Sequence, residues 1–520
     1  MTEQSFTLNS DLHGLSLKIL PHALRPVPKL SQEMFSAFME GMGSRVVYLN
    51  GYGYLTTVAL DGIREDPRTP LTLEPAPHST PRENWELHAQ QYCKTLCTSL
   101  YENDYHLMNV EELANNIAEY KQTSALSFSY TMQPLIGAVG ALAQLIQFCS
   151  AQNINDADRL VMTALQGSAN ASAEAGIALS KLVENVADNS DLKSAINAGN
   201  YEKIKTIPEG ESFLEKFHAY LLEYGRGATT WFEAHQPTWS EEPEKGLKLI
   251  ARYLDAGKNK AEESRKKSIA NREQARTSLE SHFQDNETLN QSKTLLESAE
   301  DYVFVIEGRA RWQVNSVGAF RVPCVALGKK MVEQQLLDDV NDIFFFETQE
   351  IVELTKKQNN QKMRELLKNR KADLESWAKL APPSHLGEPA PPAPNPIMEM
   401  MFGAEIAQPE DPLMLQGVGA NPGVVRGRAR VLKSLDEADN FEDGEIIVCQ
   451  FTSPPWMPLF PMAGAIITDQ GGMLSHAAIE AREFGLPCVV GTQTATSRIP
   501  DKAVVEMDGL KGTVRIISVD

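Results

Sequence analysis

Seven prolines fall between Ala381 and Ile397 (APPSHLGEPAPPAPNPI), and no other feature constrains the chain as strongly. A proline ring holds φ at about −65° and removes a backbone donor, so this stretch can be neither helix nor central strand. It reads as a semi-extended linker with a reach of roughly 45–50 Å. At 520 residues the chain is too long for one core. The linker therefore marks a boundary between bodies of different character.

Before it, residues 1–80 are rich in Pro and Gly, and RVVYLNGYGYLTTV (45–58) carries a hairpin signal, with β-branched and aromatic residues around NGYG. Residues 81–380 read as mostly helical, with turn breaks at Asn153–Asn155, Asn189–Ser190, Ile207–Gly210 and Pro237–Pro243. The polar stretch 257–293 predicts a long helix with a solvated charged face. The apolar run Leu135–Cys149 includes Gln144 and Gln147, is shorter than a membrane span, and predicts a buried helix. After a linker placed at 381–410, residues 411–520 show short β-type runs (EIIVCQF, AGAIIT, LPCVVG, KAVVEMD, TVRIIS) and a helix near 475–484. The expected fold is multidomain: a mostly α-helical region followed by a small α/β domain.

A net charge of −20 with no concentration of Lys and Arg argues against a phosphate-backbone partner. Neither nucleic acid nor membrane is an expected partner. The N-terminus, MTEQSFTLNSDLHG, lacks a basic region followed by an apolar run, so a cytoplasmic location is expected. Cys93 and Cys97 share a helix face, but no second Cys/His pair completes a zinc site. No metal ligands are expected in the chain, and the six cysteines read as reduced thiols.

The chemistry is concentrated in residues 468–491, TDQGGMLSHAAIEAREFGLPCVVG. Thr468 ends a strand, and Gly471–Gly472 permit a turn that brings backbone close to a bulky neighbour. Ser475 is a helix N-cap candidate, with Ala477, Ala478 and Ala481 as strong helix formers behind it. His476 then stands in the first turn, where free N–H groups and the dipole favour an anion and disfavour imidazolium. Small flanking residues leave the imidazole reachable, and a neutral, reachable His suits a nucleophile.

This stretch closely resembles the phosphohistidine signature of the PEP-utilising enzyme mobile domain, shared by PEP synthases, pyruvate phosphate dikinases, rifampin phosphotransferases and phenylphosphate synthases. The resemblance runs over about 413–520 and includes GVGANPGVVRGRARVL (417–432), TSPPWMP (452–458) and MDGLKGTVRI (507–516). The usual glycine before the final strand is Lys502 here. The resemblance implies a swivelling domain in which His476 carries a phosphoryl group that an ATP-grasp module takes from ATP. Thr468, Gly471, Gly472 and Ser475 would orient the imidazole and phosphate. Arg482 and Glu483 would form a structural pair or contact the docked partner.

Neither an ATP-grasp module nor a terminal TIM barrel is expected in these 520 residues. NGYGYL (50–55), YGRGATTWFEAHQPTWSEEP (224–243) and VNDIFFFETQEI (340–351) are similar to landmarks of the acceptor-binding region of rifampin phosphotransferase and of the His-bearing subunit of phenylphosphate (or cresol phosphate) synthase. The His usual before the Arg226–Gly227 pair is missing, and His235 is the candidate replacement. On this reading the helical region holds the acceptor, with Arg226, Trp231, Glu233, His235 and Arg311 as site candidates. Tyr52, Tyr54, Trp231 and Trp312 would line a greasy slot, and Glu233 or His235 would serve as base.

The resemblance thus implies the phosphohistidine and acceptor subunit of a two-component, dikinase-type phosphotransferase acting on a small hydroxyl compound such as phenol or a cresol. ATP and Mg²⁺ would be held by a separate ATP-grasp subunit, with AMP and phosphate released. The alternatives are a split rifampin-type antibiotic phosphotransferase and a non-catalytic phosphocarrier or regulatory protein.

Overall fold

The structure is a computed structural model that describes residues 6, 16–20, 25–40, 45–56, 80–132, 134–168, 171–184, 186, 188–231, 233–256, 260–356, 360–380, 382–383, 385–387, 399–401, 403–404, 406–518. It is a largely helical region followed by a small α/β domain.

The helical region is organised around Asn286–Glu333, a helix of 48 residues, about 72 Å long at 1.5 Å per residue. Asp285 caps its start by accepting from the Thr288 N–H at 2.8 Å. From Val303 to Arg321 nearly every residue is buried, whichever way it points, as expected of a helix enclosed on all sides. Gln90–Tyr101, Val110–Met132 and Pro134–Ala151 pack around it. By length and composition alone Val110–Ala151 is apolar enough to cross a membrane. Here Ala138, Leu142, Leu145 and Cys149 are buried in the protein core. The polar stretch predicted as one helix is broken: Lys260–Glu280 ends before Asp285 restarts the chain.

The predicted hairpin forms. Strands β1 (Ser16–Ile19), β2 (Val46–Leu49), β3 (Tyr52–Thr56) and β4 (His385–Gly387) make an antiparallel sheet in the order β2-β3-β1-β4. Asn50 and Gly51 join β2 to β3 with φ of 51° and 74°, the left-handed pair that a tight hairpin demands. Strand β4 modifies the linker expectation: 385–387 pair with β1 at the sheet edge, where neighbouring prolines are tolerated. The Tyr52 hydroxyl donates to the carbonyls of Trp377 (2.9 Å) and Leu380 (3.2 Å), and that of Tyr54 to Pro383 (3.2 Å). These two tyrosines therefore fasten the start of the linker and are not part of a ligand slot. Residues 388–398, the rest of the proline-rich stretch, lie outside the described residues.

The C-terminal domain carries β5 (Met414–Gln416), β6 (Val418–Asn421), β7 (Val424–Leu432), β8 (Ile446–Cys449), β9 (Ala465–Thr468), β10 (Cys488–Val490), β11 (Val504–Asp508) and β12 (Thr513–Ser518). They form one mixed sheet in the order β5-β12-β11-β7-β8-β9-β10-β6, parallel from β7 to β10. Lys502 stands at φ 70°, which explains why glycine is usual there. The domain is seated on the helical region through a shared apolar core, with Leu179, Phe217 and Ile250 on one side and Trp456, Phe460 and Phe484 on the other.

Candidate functional site

The phosphohistidine loop leaves β9 at Thr468, whose hydroxyl donates to the Gln470 carbonyl at 2.6 Å and closes the turn. Gly471 follows at φ 120°. At Gly472 a Cβ would lie 2.2 Å from the Glu399 carbonyl oxygen and 2.4 Å from that of Met400. The bulky neighbour anticipated from the glycine pair is thus the backbone of 399–401, just beyond the linker. Gly472 and Leu474 donate their N–H groups to Met401 (3.2 Å) and Met400 (2.8 Å).

Ser475 occupies the N-cap position of the helix His476–Glu483, but its hydroxyl makes no cap bond. It donates back to the Gly472 carbonyl at 2.8 Å, stiffening the loop. Arg482 and Glu483 are buried, at 4% and 1% exposure. The Arg482 guanidinium donates to the Met473 carbonyl, and its own carbonyl accepts from Ser268 at 2.7 Å. Burial lowers the Arg482 pKa to about 10, against the opposing pull of Cys488, Glu483 and Glu307. Arg482 therefore clasps the loop from behind and links it to the helix Lys260–Glu280.

His476 opens its helix as expected, but the expectation of an exposed imidazole is corrected. Its side chain is 8% exposed because the helical region covers it. Nδ1 lies 3.0 Å from the Thr452 hydroxyl, and the ring meets Phe460 edge-on at 6.1 Å. Nε2 makes no hydrogen bond and stands 3.9 Å from Glu307 Oε2 on the long helix. Desolvation lowers the His476 pKa and Glu307 partly opposes it, so the imidazole is neutral at pH 7. Glu307, His476 and Glu480, all buried, each offer one donor atom within 4.8 Å of the other two. The sequence reading found no metal ligands, whereas these three could hold a cation. Glu307 is 169 residues from His476 and gave no local signal.

Thr452 and Ser453 connect this centre to the acceptor candidates, since the Ser453 hydroxyl donates to the Thr229 carbonyl at 2.6 Å. In that loop Arg226 stacks over the Tyr101 ring at 4.9 Å, and Trp231 packs on the helical core. Glu233 is buried and accepts from the Thr230 hydroxyl at 3.0 Å. His235 is pushed down to about 3 by burial, then by Arg321 and Arg25, which corrects its proposed role: such an imidazole is a very weak base. The loop is organised instead by Arg321, a residue the sequence reading missed. Arg321 donates to Glu241 (2.7 Å), to the Ala234 and His235 carbonyls (3.1 and 2.9 Å) and to Asn341 (2.9 Å). It thereby joins the landmarks 224–243 and 340–351.

Arg311, four residues past Glu307 on the long helix, is paired with Glu223 and lies over Tyr224 at 5.0 Å. With Asn315 it lines a cleft closed on the far side by Pro454, Pro455 and Met457. The cleft holds about 410 Å³ including its open mouth. Trp312 is buried in the helical core.

Residues 441–512 match the mobile domain of PEP-utilising enzymes, and residues 130–304 match the fourth domain of rifampicin phosphotransferase. Chondramide synthase cmdD of Chondromyces crocatus is 29% identical over 444 residues, 80% of this chain and 11% of that protein. Rifampicin phosphotransferase of Bacillus cereus is 26% identical over 314 residues, 59% of this chain and 35% of that enzyme. Phosphoenolpyruvate synthase of Aeropyrum pernix is 47% identical over 111 residues, 21% of this chain and 14% of that enzyme. The chain thus spans about a third of the rifampicin enzyme and smaller fractions of the other two.

Proposed function

Because the chain belongs to the PEP-utilising enzyme family, we propose that it relays a phosphoryl group through His476 to a small hydroxyl acceptor held at the seam between its two parts. The phosphoryl donor is an ATP-grasp subunit that binds ATP and Mg²⁺, and the overall products are the acceptor phosphate, AMP and phosphate. The observation that carries this reading is His476 itself, a neutral imidazole at a helix start with Nδ1 on Thr452 and Nε2 open toward the helical region.

With Nδ1–H donating to Thr452 Oγ1, the Nε2 lone pair is the nucleophile. It attacks the donor phosphorus as the P–O bond to the donor's leaving group breaks with its electron pair on that oxygen, and the ring becomes a phosphoimidazolium whose remaining proton stays on Nδ1. When the acceptor oxygen takes the phosphoryl group, its hydroxyl proton is released to solvent, the P–N bond electrons return to Nε2 and the same neutral tautomer is restored. Phosphoryl transfer of this kind depends mainly on positioning and charge neutralisation. The loop hydrogen bonds of Ser475 and Arg482 supply rigidity, and Arg311 supplies a cation beside the cleft. Charging by a separate subunit requires the domain to leave its seat, because the imidazole is covered here.

A phenol or cresol is the acceptor this reading favours, on the likeness of residues 224–243 and 340–351 to the acceptor-binding landmarks named above. A rifamycin acceptor is the second reading, favoured by the match of residues 130–304 to the rifampicin phosphotransferase fourth domain. The test is reconstitution with an ATP-grasp protein encoded beside it, measuring AMP release with phenol, p-cresol, aliphatic alcohols and rifamycins. Acceptor-dependent AMP release that vanishes in His476→Asn is expected. AMP release that survives this substitution refutes the relay.

A further inference from the structure

A phosphoryl group arriving on Nε2 meets a carboxylate. Glu307 is 1% exposed, Glu480 is fully buried, and both lie within 4.8 Å of the His476 ring nitrogen that faces them. Two buried guanidiniums act on Glu307 through space while hydrogen-bonding other groups, Arg482 donating to the Met473 carbonyl and Arg309 to Met132 Sδ at 3.6 Å. Glu307 is the charged group that acts on the imidazole. A phosphoryl dianion adds negative charge to a buried pocket that already holds two carboxyl groups.

Oxygen donors from two carboxylates suit a hard divalent cation. Mg²⁺ in particular is commonly held by one or two carboxylates and completed by phosphate oxygens. The third member of the group is His476, whose side chain is nine-tenths buried and whose Nε2 lacks a hydrogen-bond partner and faces Glu307. It is also the ring position open to phosphorylation, since Nδ1 is engaged by Thr452. We propose that Glu307 and Glu480 form a divalent-cation site that is completed by the phosphoryl group on His476, taking Mg²⁺ or Mn²⁺. This inference rests on the reading of His476 as phosphoryl carrier and goes beyond it, because the cation belongs to this chain and not to an ATP-binding partner. The cation lets the charged histidine return to its seat between the two carboxylates.

The test uses the full chain, charged chemically with phosphoramidate and followed by ³¹P NMR during titration with Mn²⁺, whose paramagnetism broadens nearby phosphorus. Broadening of the phosphohistidine signal at micromolar Mn²⁺ is expected, with at least ten times more Mn²⁺ needed in Glu307→Gln. Electron paramagnetic resonance on the wild type, charged and uncharged, provides a comparison that needs no substitution. Tenfold weaker Mn²⁺ binding is expected for the uncharged chain. Equal broadening in wild type and Glu307→Gln, or equal Mn²⁺ binding with and without the phosphoryl group, overturns the cation site. A chain that forms no phosphohistidine signal at all defeats the carrier reading itself, a separate and recognisable failure.

Discussion

His235 offers a quantitative check on the acceptor loop. The folded protein holds this imidazole down at about 3 through burial and the two guanidiniums of Arg321 and Arg25, against about 6.5 in an unfolded chain. Gln236 lies 3.2 Å from Nε2, and Nδ1 is buried without a hydrogen-bond partner. The folded state therefore favours the neutral ring. As pH falls below about 6.5 the unfolded chain binds a proton that the folded chain refuses, so folding stability drops until the folded pKa is reached. The slope is at most about 1.4 kcal/mol per pH unit for one group. Between pH 6.5 and 4.5, where the ring stays neutral in the fold, His235 should account for a loss of about 2.3 kcal/mol.

Substituting His235→Asn removes the titrating group and should flatten the fall by that amount, read as the difference in urea midpoints between the two proteins across this pH range. Carbon-13 labelling of the imidazoles tests the cause directly, since the His235 resonance should not titrate above pH 4.5. A normal midpoint near 6.5, or an equally steep loss of stability in His235→Asn, refutes the reasoning and restores His235 as a candidate base.

Replacing His476 with Asn should abolish phosphoryl transfer and the acid-labile adduct, and His476→Ala should also cost roughly 1–3 kcal/mol by melting because the ring is buried. Thr452→Val should reduce the yield of phosphohistidine about tenfold while changing stability by only about 1 kcal/mol, with Thr452→Ser restoring the yield. Gly472→Ala should force the backbone of 399–401 off the loop, lowering the melting temperature by an amount equivalent to about 1–3 kcal/mol and slowing transfer. Deleting eight residues within 388–398 should slow turnover severely, whereas a Gly/Ser chain of equal length should cost far less. Unchanged turnover in the deletion would mean that the domain does not travel.

By itself the sequence determined the elements whose signals are local. Asn50–Gly51 between alternating β-type residues specified the hairpin, because few other residues accept two successive left-handed conformations. The glycine pair, serine and alanines around His476 specified a strand, a tight turn and a helix start. The prolines excluded helix and central strand, and this holds for 385–387, which reach the sheet only at its edge. Tertiary structure decided everything that depends on partners distant in the chain. It covered an imidazole that its small neighbours had seemed to leave open. It turned the Ser475 hydroxyl back onto Gly472, and it assigned Tyr52 and Tyr54 to the linker's anchorage. Arg321 became the organiser of the 224–243 loop, and Glu307 was brought to the nitrogen that would carry phosphate. Burial and charge placement at this seam are sums over elements more than a hundred residues apart, and no pattern within one stretch of sequence contains that sum.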